Sequence, residues 1–101
     1  MKDKAQDLQQ LISLSRTMLE KAREESWDEV LVMEIKRSEL LRLFFLEPVQ
    51  QAYTNMIAVG IQSIMAINND LMALVWLKRI ELAEALQAMD QGKKAVKAYT
   101  S

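Results

Sequence analysis

The chain has 101 residues, a formal net charge of −1, two glycines, one proline, and neither cysteine nor histidine. The missing cysteines exclude disulfides and thiolate metal sites, and the missing histidines remove the commonest metal ligand and general base. Because the chain has no basic excess, we expect no nucleic-acid binding. Its length predicts one small domain over residues 1–101, and its many good helix formers predict an all-α fold.

The sequence contains no catalytic arrangement. It has no glycine-rich phosphate loop, and its serines have no neighbouring base, so we expect neither an enzyme nor a bound cofactor. Glu34 interrupts an apolar helix face, and we expect it to pair with Arg37, or with a basic residue of a neighbouring helix, instead of acting as an acid. No signal-peptide pattern and no run of about 18 apolar residues is present, so we expect a cytoplasmic protein without membrane insertion.

Two amphipathic patterns predict a helical hairpin, with helix 1 over residues 4–24 and helix 2 over residues 27–46. Ser15 interrupts the apolar face of helix 1. Ser26 and Glu29 have the spacing of a capping box, which predicts the start of helix 2. Pro48 disfavours helical geometry at the preceding residue and predicts its end. The apolar arc of helix 2 is about twice as wide as the ~100° stripe of a surface helix, which predicts contact with two neighbours, or with one neighbour and a partner.

A third helix is predicted over residues 49–90, with Pro48 in its first turn. Its apolar stripe keeps one phase through Asn68-Asn69-Asp70, so we expect one long helix with a possible break at residues 68–70. Gly92 predicts the end of this helix and a short tail over residues 91–101. The residues that form the stripe are Tyr53, Ile57, Ile61, Ile64, Leu71, Val75, Leu82, Leu86 and Met89.

The lengths of the three helices do not match. At ~1.5 Å per residue, helices 1 and 2 are each ~30 Å long, and helix 3 is ~60 Å long. The hairpin therefore covers only about half of helix 3, and the other half carries many apolar residues that a soluble monomer does not leave exposed. Either the chain breaks near Asn69 and folds back as a fourth helix, or this half binds another chain, which is a second copy or a client.

Three stretches make the chain resemble the flagellar export chaperone FliT family. The first is the corner LEKAREESWDEVL, from Leu19 to Leu31. The second is NNDLMALVWLKRIEL, from Asn68 to Leu82. The third is the tail GKKAVKAY, from Gly92 to Tyr99. The chain departs from the family pattern at Glu25, where members often have glycine before the tryptophan turn, and enteric members also continue beyond the tyrosine with a longer segment.

The resemblance implies a cytoplasmic chaperone that binds the filament-cap protein FliD before export. Such a chaperone keeps the assembly-prone terminal helical region of its client from associating early and hands the client to components of the export ATPase complex. In some bacteria these chaperones also bind the flagellar master transcriptional regulator. The fold that we expect is an antiparallel bundle of three to four helices, in which a hairpin packs on a long third helix.

Client binding is expected to follow the helix-in-groove mode, in which an amphipathic helix of the client lies in an apolar groove. Trp76 is the candidate hot spot, and Tyr99 and Val96 are expected to cover part of the surface when no client is bound. The candidate anchors are Ile64, Ile67, Leu71, Leu74, Val75 and Leu77. Four methionines along helix 3 would make such a groove adaptable, although core filling explains them as well.

Three other functions fit the same residues. The chain could be a helical dimerisation or interaction module without a chaperone role. It could also be a transcriptional anti-activator, which differs from a chaperone only in its partner, or a related flagellin chaperone. The oligomeric state of the pure protein separates the first alternative, and the identity of captured partners separates the others.

Overall fold

The computed structural model describes residues 4–100, and this part of the chain contains three α-helices and no β-strand. Helix α1 spans Lys4–Arg23, α2 spans Trp27–Leu46 and α3 spans Thr54–Thr100, with one 3₁₀ turn at Gln51–Tyr53. The all-α prediction is confirmed. The molecule is elongated, with extents of 72 × 20 × 20 Å, so the helices do not form a compact bundle along their whole length.

The corner between α1 and α2 is a Schellman motif instead of the predicted capping box. Ser26 donates its backbone N–H to the carbonyl of Lys21 over 2.9 Å, and Glu25 donates to the carbonyl of Ala22 over 3.0 Å. Glu25 has a φ of 61°, in the left-handed region where glycine is usual. The Ser26 hydroxyl makes no capping hydrogen bond. The capping box fails because Glu29 instead approaches the Lys21 ammonium to 3.4 Å.

Helix α1 packs on both other helices and so forms the centre of the molecule. Its apolar face contributes to two core clusters, one near each end of the hairpin. The first cluster consists of Leu8, Leu11, Ile12, Phe44, Ile57 and Ile64. The second consists of Met18, Leu19, Ala22, Val30 and Leu71. Gly60 allows α1 and α3 to approach closely at the first cluster, because a Cβ at this position would overlap with the side chain of Leu8.

A buried polar layer separates the two core clusters. Arg37 of α2 is only 6% exposed, and its guanidinium donates to Asn68 Oδ1 over 2.7 Å and to Ser15 Oγ over 3.2 Å. It also pairs with Glu34 at 2.5 Å, as the sequence predicts. Ser15 in turn donates to the carbonyl of Leu11 over 2.9 Å. The polar residues that interrupt the three apolar faces therefore meet in one hydrogen-bonded layer, which fixes the register of the helices.

Helix α3 differs from the predicted helix 3 at both ends. It begins at Thr54 instead of residue 49, because Pro48 lies in an extended linker and not in a first helical turn. Helix α3 is not broken at residues 68–70. Asn68 remains inside this helix, and its side-chain oxygen accepts a hydrogen bond from Arg37 of α2. Helix α3 also continues through Gly92 to Thr100. The predicted helix end at Gly92 is therefore wrong, and so is the separate tail over residues 91–100. Ser101, the last residue of that predicted tail, lies outside the described residues.

Candidate partner-binding surface

The hairpin covers only the first half of α3. We call residues 54–78 the proximal segment and residues 79–100 the distal segment. The proximal segment contributes Ile57, Ile64 and Leu71 to the cores, whereas every residue of the distal segment is exposed. The 47 residues of α3 extend over ~70 Å, and the 20 residues of each hairpin helix extend over ~30 Å. The distal segment therefore lies beyond the end of the hairpin.

A largely apolar groove lies between α2 and α3 at the second core cluster. We call it the α2–α3 groove, and its volume is about 360 Å³. Its lining consists of Met18, Trp27, Val30, Leu31, Glu34, Arg37, Asn68, Leu71, Met72 and Val75. Leu31 and Met72 are exposed apolar residues on its two opposite walls. An elongated apolar depression between two helices is the shape that receives an amphipathic helix.

One end of the α2–α3 groove is polar. Arg37, Glu34 and Asn68 form this end, and the Arg37–Glu34 pair leaves little net charge there. Two buried N–H groups in the lining, Arg37 Nε and Trp27 Nε1, have no hydrogen-bond partner among the described residues. The groove therefore combines an apolar floor with buried donors, which is the usual composition of a binding cleft.

A second depression, which we call the corner cavity, lies between the hairpin corner and α3. Its volume is about 270 Å³, and its lining consists of Ala22, Arg23, Glu24, Glu25, Trp27, Leu74, Leu77, Lys78 and Glu81. Its lining carries three acidic residues and two basic ones. Lys21 pairs with Glu24 at 3.6 Å and with Glu29 at 3.4 Å, and the hydrogen bond to Glu29 raises the pKa of Lys21. Trp27 lines both this cavity and the α2–α3 groove, so the two depressions adjoin at the corner.

The structure divides the predicted anchor residues between core and surface. Ile64 and Leu71 are 5% and 4% exposed and pack against the hairpin, and Ile67 is half-buried against both core clusters. Ile64 and Leu71 are therefore not accessible on the surface of one chain, although Leu71 forms part of the groove lining. Leu74 and Val75 are half-buried, with Leu74 at the corner cavity and Val75 at the groove.

The three remaining predicted residues are exposed but do not lie together. Trp76 is 63% exposed and follows Met72 by one turn, on the same side of α3. Leu77 is 58% exposed and lines the corner cavity. Tyr99 is 93% exposed and lies about 33 Å farther along α3, 22 residues beyond Leu77. Tyr99 and Val96 therefore cannot cover the groove of their own chain in this conformation.

The sequence prediction missed the side of the surface that α2 provides. Trp27, Val30 and Leu31 line the α2–α3 groove, and none of them was among the predicted site residues. Their signal was the wide apolar arc of helix 2, which indicated two neighbours without identifying them. A helical periodicity gives the direction of each side chain on its own helix, but the angle between two helices decides which side chains enclose a groove.

Within residues 4–100, no group of three or more carboxylates could hold a metal ion. By length and composition alone, the segment Gln51–Thr100 could cross a membrane. Its proximal part packs on the hairpin, however, and carries Asn68 in a buried hydrogen bond to Arg37. The observed contacts are therefore those of an amphipathic helix that packs on other helices.

The chain matches the protein-family model described as "Flagellar protein FliT" over residues 5–101. This match covers all three helices and the hairpin corner. Comparison with curated proteins gave no match, and comparison with solved structures gave none either.

Proposed function

We propose that this chain, which belongs to the FliT family of flagellar export chaperones, binds the filament-cap protein FliD in the cytoplasm before export. The observation that carries this proposal is the α2–α3 groove, with its apolar floor and its exposed apolar walls. A terminal helix of FliD that lies in the groove would hide the apolar face through which it otherwise assembles. The chaperone would thus prevent premature association of its client.

In this proposal the predicted site residues have different roles. Val75 and Leu74 lie at the rim of the α2–α3 groove and at the corner cavity, where they can contact a client without any movement of the hairpin. Trp76 and Leu77 extend this surface on either side, and Leu31 and Met72 add the opposite walls. In this account the buried residues Ile64 and Leu71 and the half-buried Ile67 support the surface from below. Large apolar side chains near the centre of an interface commonly contribute most of the binding energy.

The test is binding of purified FliD to the double variant Leu31→Asp plus Met72→Asp, which changes the exposed residues on two walls of the α2–α3 groove, measured by calorimetry. We expect affinity to fall by more than about thirtyfold, corresponding to ~2 kcal/mol or more for loss of a hot-spot contact. The matched control is Met56→Asp plus Val59→Asp, which places two charges on exposed positions of α3 outside both depressions. Undiminished binding by the first variant, with helicity preserved, would place the client elsewhere.

The same family membership suggests two further partners. Components of the export ATPase complex would receive the client, and the flagellar master transcriptional regulator would be a second ligand of the chaperone. We propose that the regulator uses the α2–α3 groove, because this groove is apolar and open between the hairpin and α3. Competition between FliD and the regulator for the purified chain tests this point. Simultaneous binding of both would show that the regulator uses another surface.

A further inference from the structure

The guanidinium of Arg37 has one edge without a complete set of partners, and Arg37 lines the α2–α3 groove. Its Nη1 donates to Ser15 and Asn68, and its Nη2 donates to Glu34 Oε2 over 2.5 Å. The neighbouring Nε–H is buried and has no hydrogen-bond partner among the described residues. A buried donor without a partner destabilises a protein, so a ligand that supplies an acceptor here gains affinity.

A second ion pair of α2 shows how the same edge is filled at another position. Arg42 follows Glu39 by three residues, as Arg37 follows Glu34. Arg42 donates from both Nε and Nη2 to the two carboxylate oxygens of Glu39, over 3.1 and 2.6 Å. Glu34 instead uses its Oε1 to accept a hydrogen bond from Ser38 Oγ over 3.1 Å. Ser38 therefore holds one oxygen of Glu34 away from Arg37, and the Nε–H is left without an acceptor.

We propose that the α2–α3 groove selects a client helix whose apolar face carries one side-chain amide, from Gln or Asn, at the level of Arg37. The amide oxygen accepts a hydrogen bond from Arg37 Nε, and the amide N–H donates to the carboxylate of Glu34. Both residues line the groove. This inference rests on the proposed function, because it concerns the helix that the groove receives, and it adds which residue of that helix is recognised.

The charges at this end of the groove favour an amide over a carboxylate or an amine. Arg37 and Glu34 neutralise each other, and Asn68, the third polar residue there, is uncharged. A client carboxylate would place a second negative charge beside Glu34, and a client lysine would place a second positive charge beside Arg37. Either charge would be buried without a counter-ion. An amide offers an acceptor and two donors without net charge, which matches one N–H and one carboxylate.

Glu34 provides access to the buried edge. The Arg37 side chain is 7% exposed, whereas the Glu34 side chain is 42% exposed. Rotation of Glu34 toward solvent admits the amide between the two side chains without movement of the backbone. The rest of the groove lining is largely apolar, so a bound helix excludes water from the amide. Exclusion of water strengthens the two hydrogen bonds and increases the cost of a client residue that cannot form them.

Synthetic helical peptides test the proposal without FliD. The host peptide is an amphipathic helix of about 20 residues, as long as α2, with a uniform leucine face that lets it slide along the groove until its central guest residue reaches Arg37. The guest is Gln in one peptide and Met, which has a similar shape, in the other. Calorimetry gives the ratio of the two dissociation constants for each variant of the chain.

We expect the preference for the Gln peptide over the Met peptide to fall by about tenfold or more in Glu34→Leu and in Arg37→Lys, because each change removes one partner of the amide. Glu39→Leu and Arg42→Lys are the matched controls, since they alter an exposed pair of the same spacing outside the groove. Both controls should keep the full preference. Equal preference in the test and control variants overturns the proposal, and so does the absence of binding by both peptides.

Nuclear magnetic resonance of the unmodified chain provides a readout that does not depend on how well either variant folds. We expect the Arg37 Nε–H proton signal to move downfield when the Gln peptide is added and to stay closer to its original position with the Met peptide, because only the amide accepts its hydrogen bond. The same movement with both peptides contradicts the proposal. FliD is absent from both readouts, so the Leu31→Asp plus Met72→Asp variant judges the proposed function separately.

Discussion

The proximal and distal segments of α3 belong to one uninterrupted helix and carry one apolar stripe, yet only the proximal segment is buried. Leu71 is 4% exposed, whereas Leu86, on the same stripe, is 65% exposed. The two leucines differ in exposure because the hairpin is too short to cover Leu86, and not because of the helix on which they lie. An apolar stripe therefore predicts only that a helix face packs against a partner. Whether this partner belongs to the same chain depends on the lengths and positions of the other helices.

The largest expected effect is a difference in the free energy of unfolding between variants of two leucines on this stripe. Leu71→Ala should lower the free energy of unfolding by about 2–5 kcal/mol, because it leaves a cavity in the second core cluster. Leu86→Ala, measured in protein dilute enough to be monomeric, should change it by less than about 0.5 kcal/mol. Urea denaturation followed by circular dichroism measures both. Similar losses in the two variants would mean that the distal segment is covered within its own chain.

The next effect concerns the polar layer that keeps Asn68 within α3. Arg37→Ala should destabilise the protein by about 3 kcal/mol, because Ser15, Asn68 and Glu34 each lose a buried or partly buried partner. Arg42→Ala is the control, since the exposed pair of Arg42 with Glu39 should contribute less than about 1 kcal/mol. Denaturant midpoints at neutral pH provide the comparison. Equal destabilisation by the two changes would argue against a structural role for the layer.

The two glycines of α3 should respond with opposite signs. Gly60→Ala should destabilise by about 1–3 kcal/mol, since its Cβ overlaps with Leu8 in the core. Gly92→Ala should instead raise helicity of the monomeric distal segment, because an alanine inside a helix is favoured by about 1 kcal/mol over glycine. Thermal unfolding and circular dichroism measure the two changes. A loss of helicity in Gly92→Ala would mean that the helix does not continue through this position.

The smallest effect is expected at the corner that ends the hairpin. Glu25→Gly should stabilise the protein by about 1 kcal/mol, because glycine adopts the left-handed φ of 61° without the clash of a side chain. Glu24→Gly provides the control, since only Glu25 among the non-glycine residues 4–100 has a positive φ. Chemical denaturation resolves a change of this size. Destabilisation by Glu25→Gly would contradict the Schellman geometry of the corner.

Local features of the sequence predicted much of the fold. Helical periodicity indicated the hairpin, and the continuous phase indicated that α3 is one helix. The interruptions at Ser15, Glu34 and Asn68 were visible separately in the sequence. Their union in one layer depends on the register between helices, which no single periodicity contains. The sequence also suggested a helix end at Gly92, but glycine stops a helix only where its φ becomes positive, and here it does not.

The candidate surface was predictable only in part. Val75 lines the α2–α3 groove, Leu77 lines the corner cavity, and Trp76 is exposed beside them. Leu71 and Ile64 have the same apolar character but lie under the hairpin, and a stripe alone cannot tell where its cover ends. The α2 wall with Leu31 was missed because its position depends on how the hairpin sits on α3. Side-chain type and spacing therefore identified the helix face, and tertiary packing identified the groove.

The central claim is that the distal segment is helical but receives no cover from its own hairpin. Hydrogen–deuterium exchange by mass spectrometry tests it most directly when the two segments of α3 are compared in dilute, monomeric protein. We expect amides around Ile64 and Leu71 to exchange only through global unfolding, and amides from Leu82 to Val96 to exchange much faster through local fraying. Equal protection of both segments in the monomer would contradict the account, because it would show that the chain covers the whole of α3 by itself.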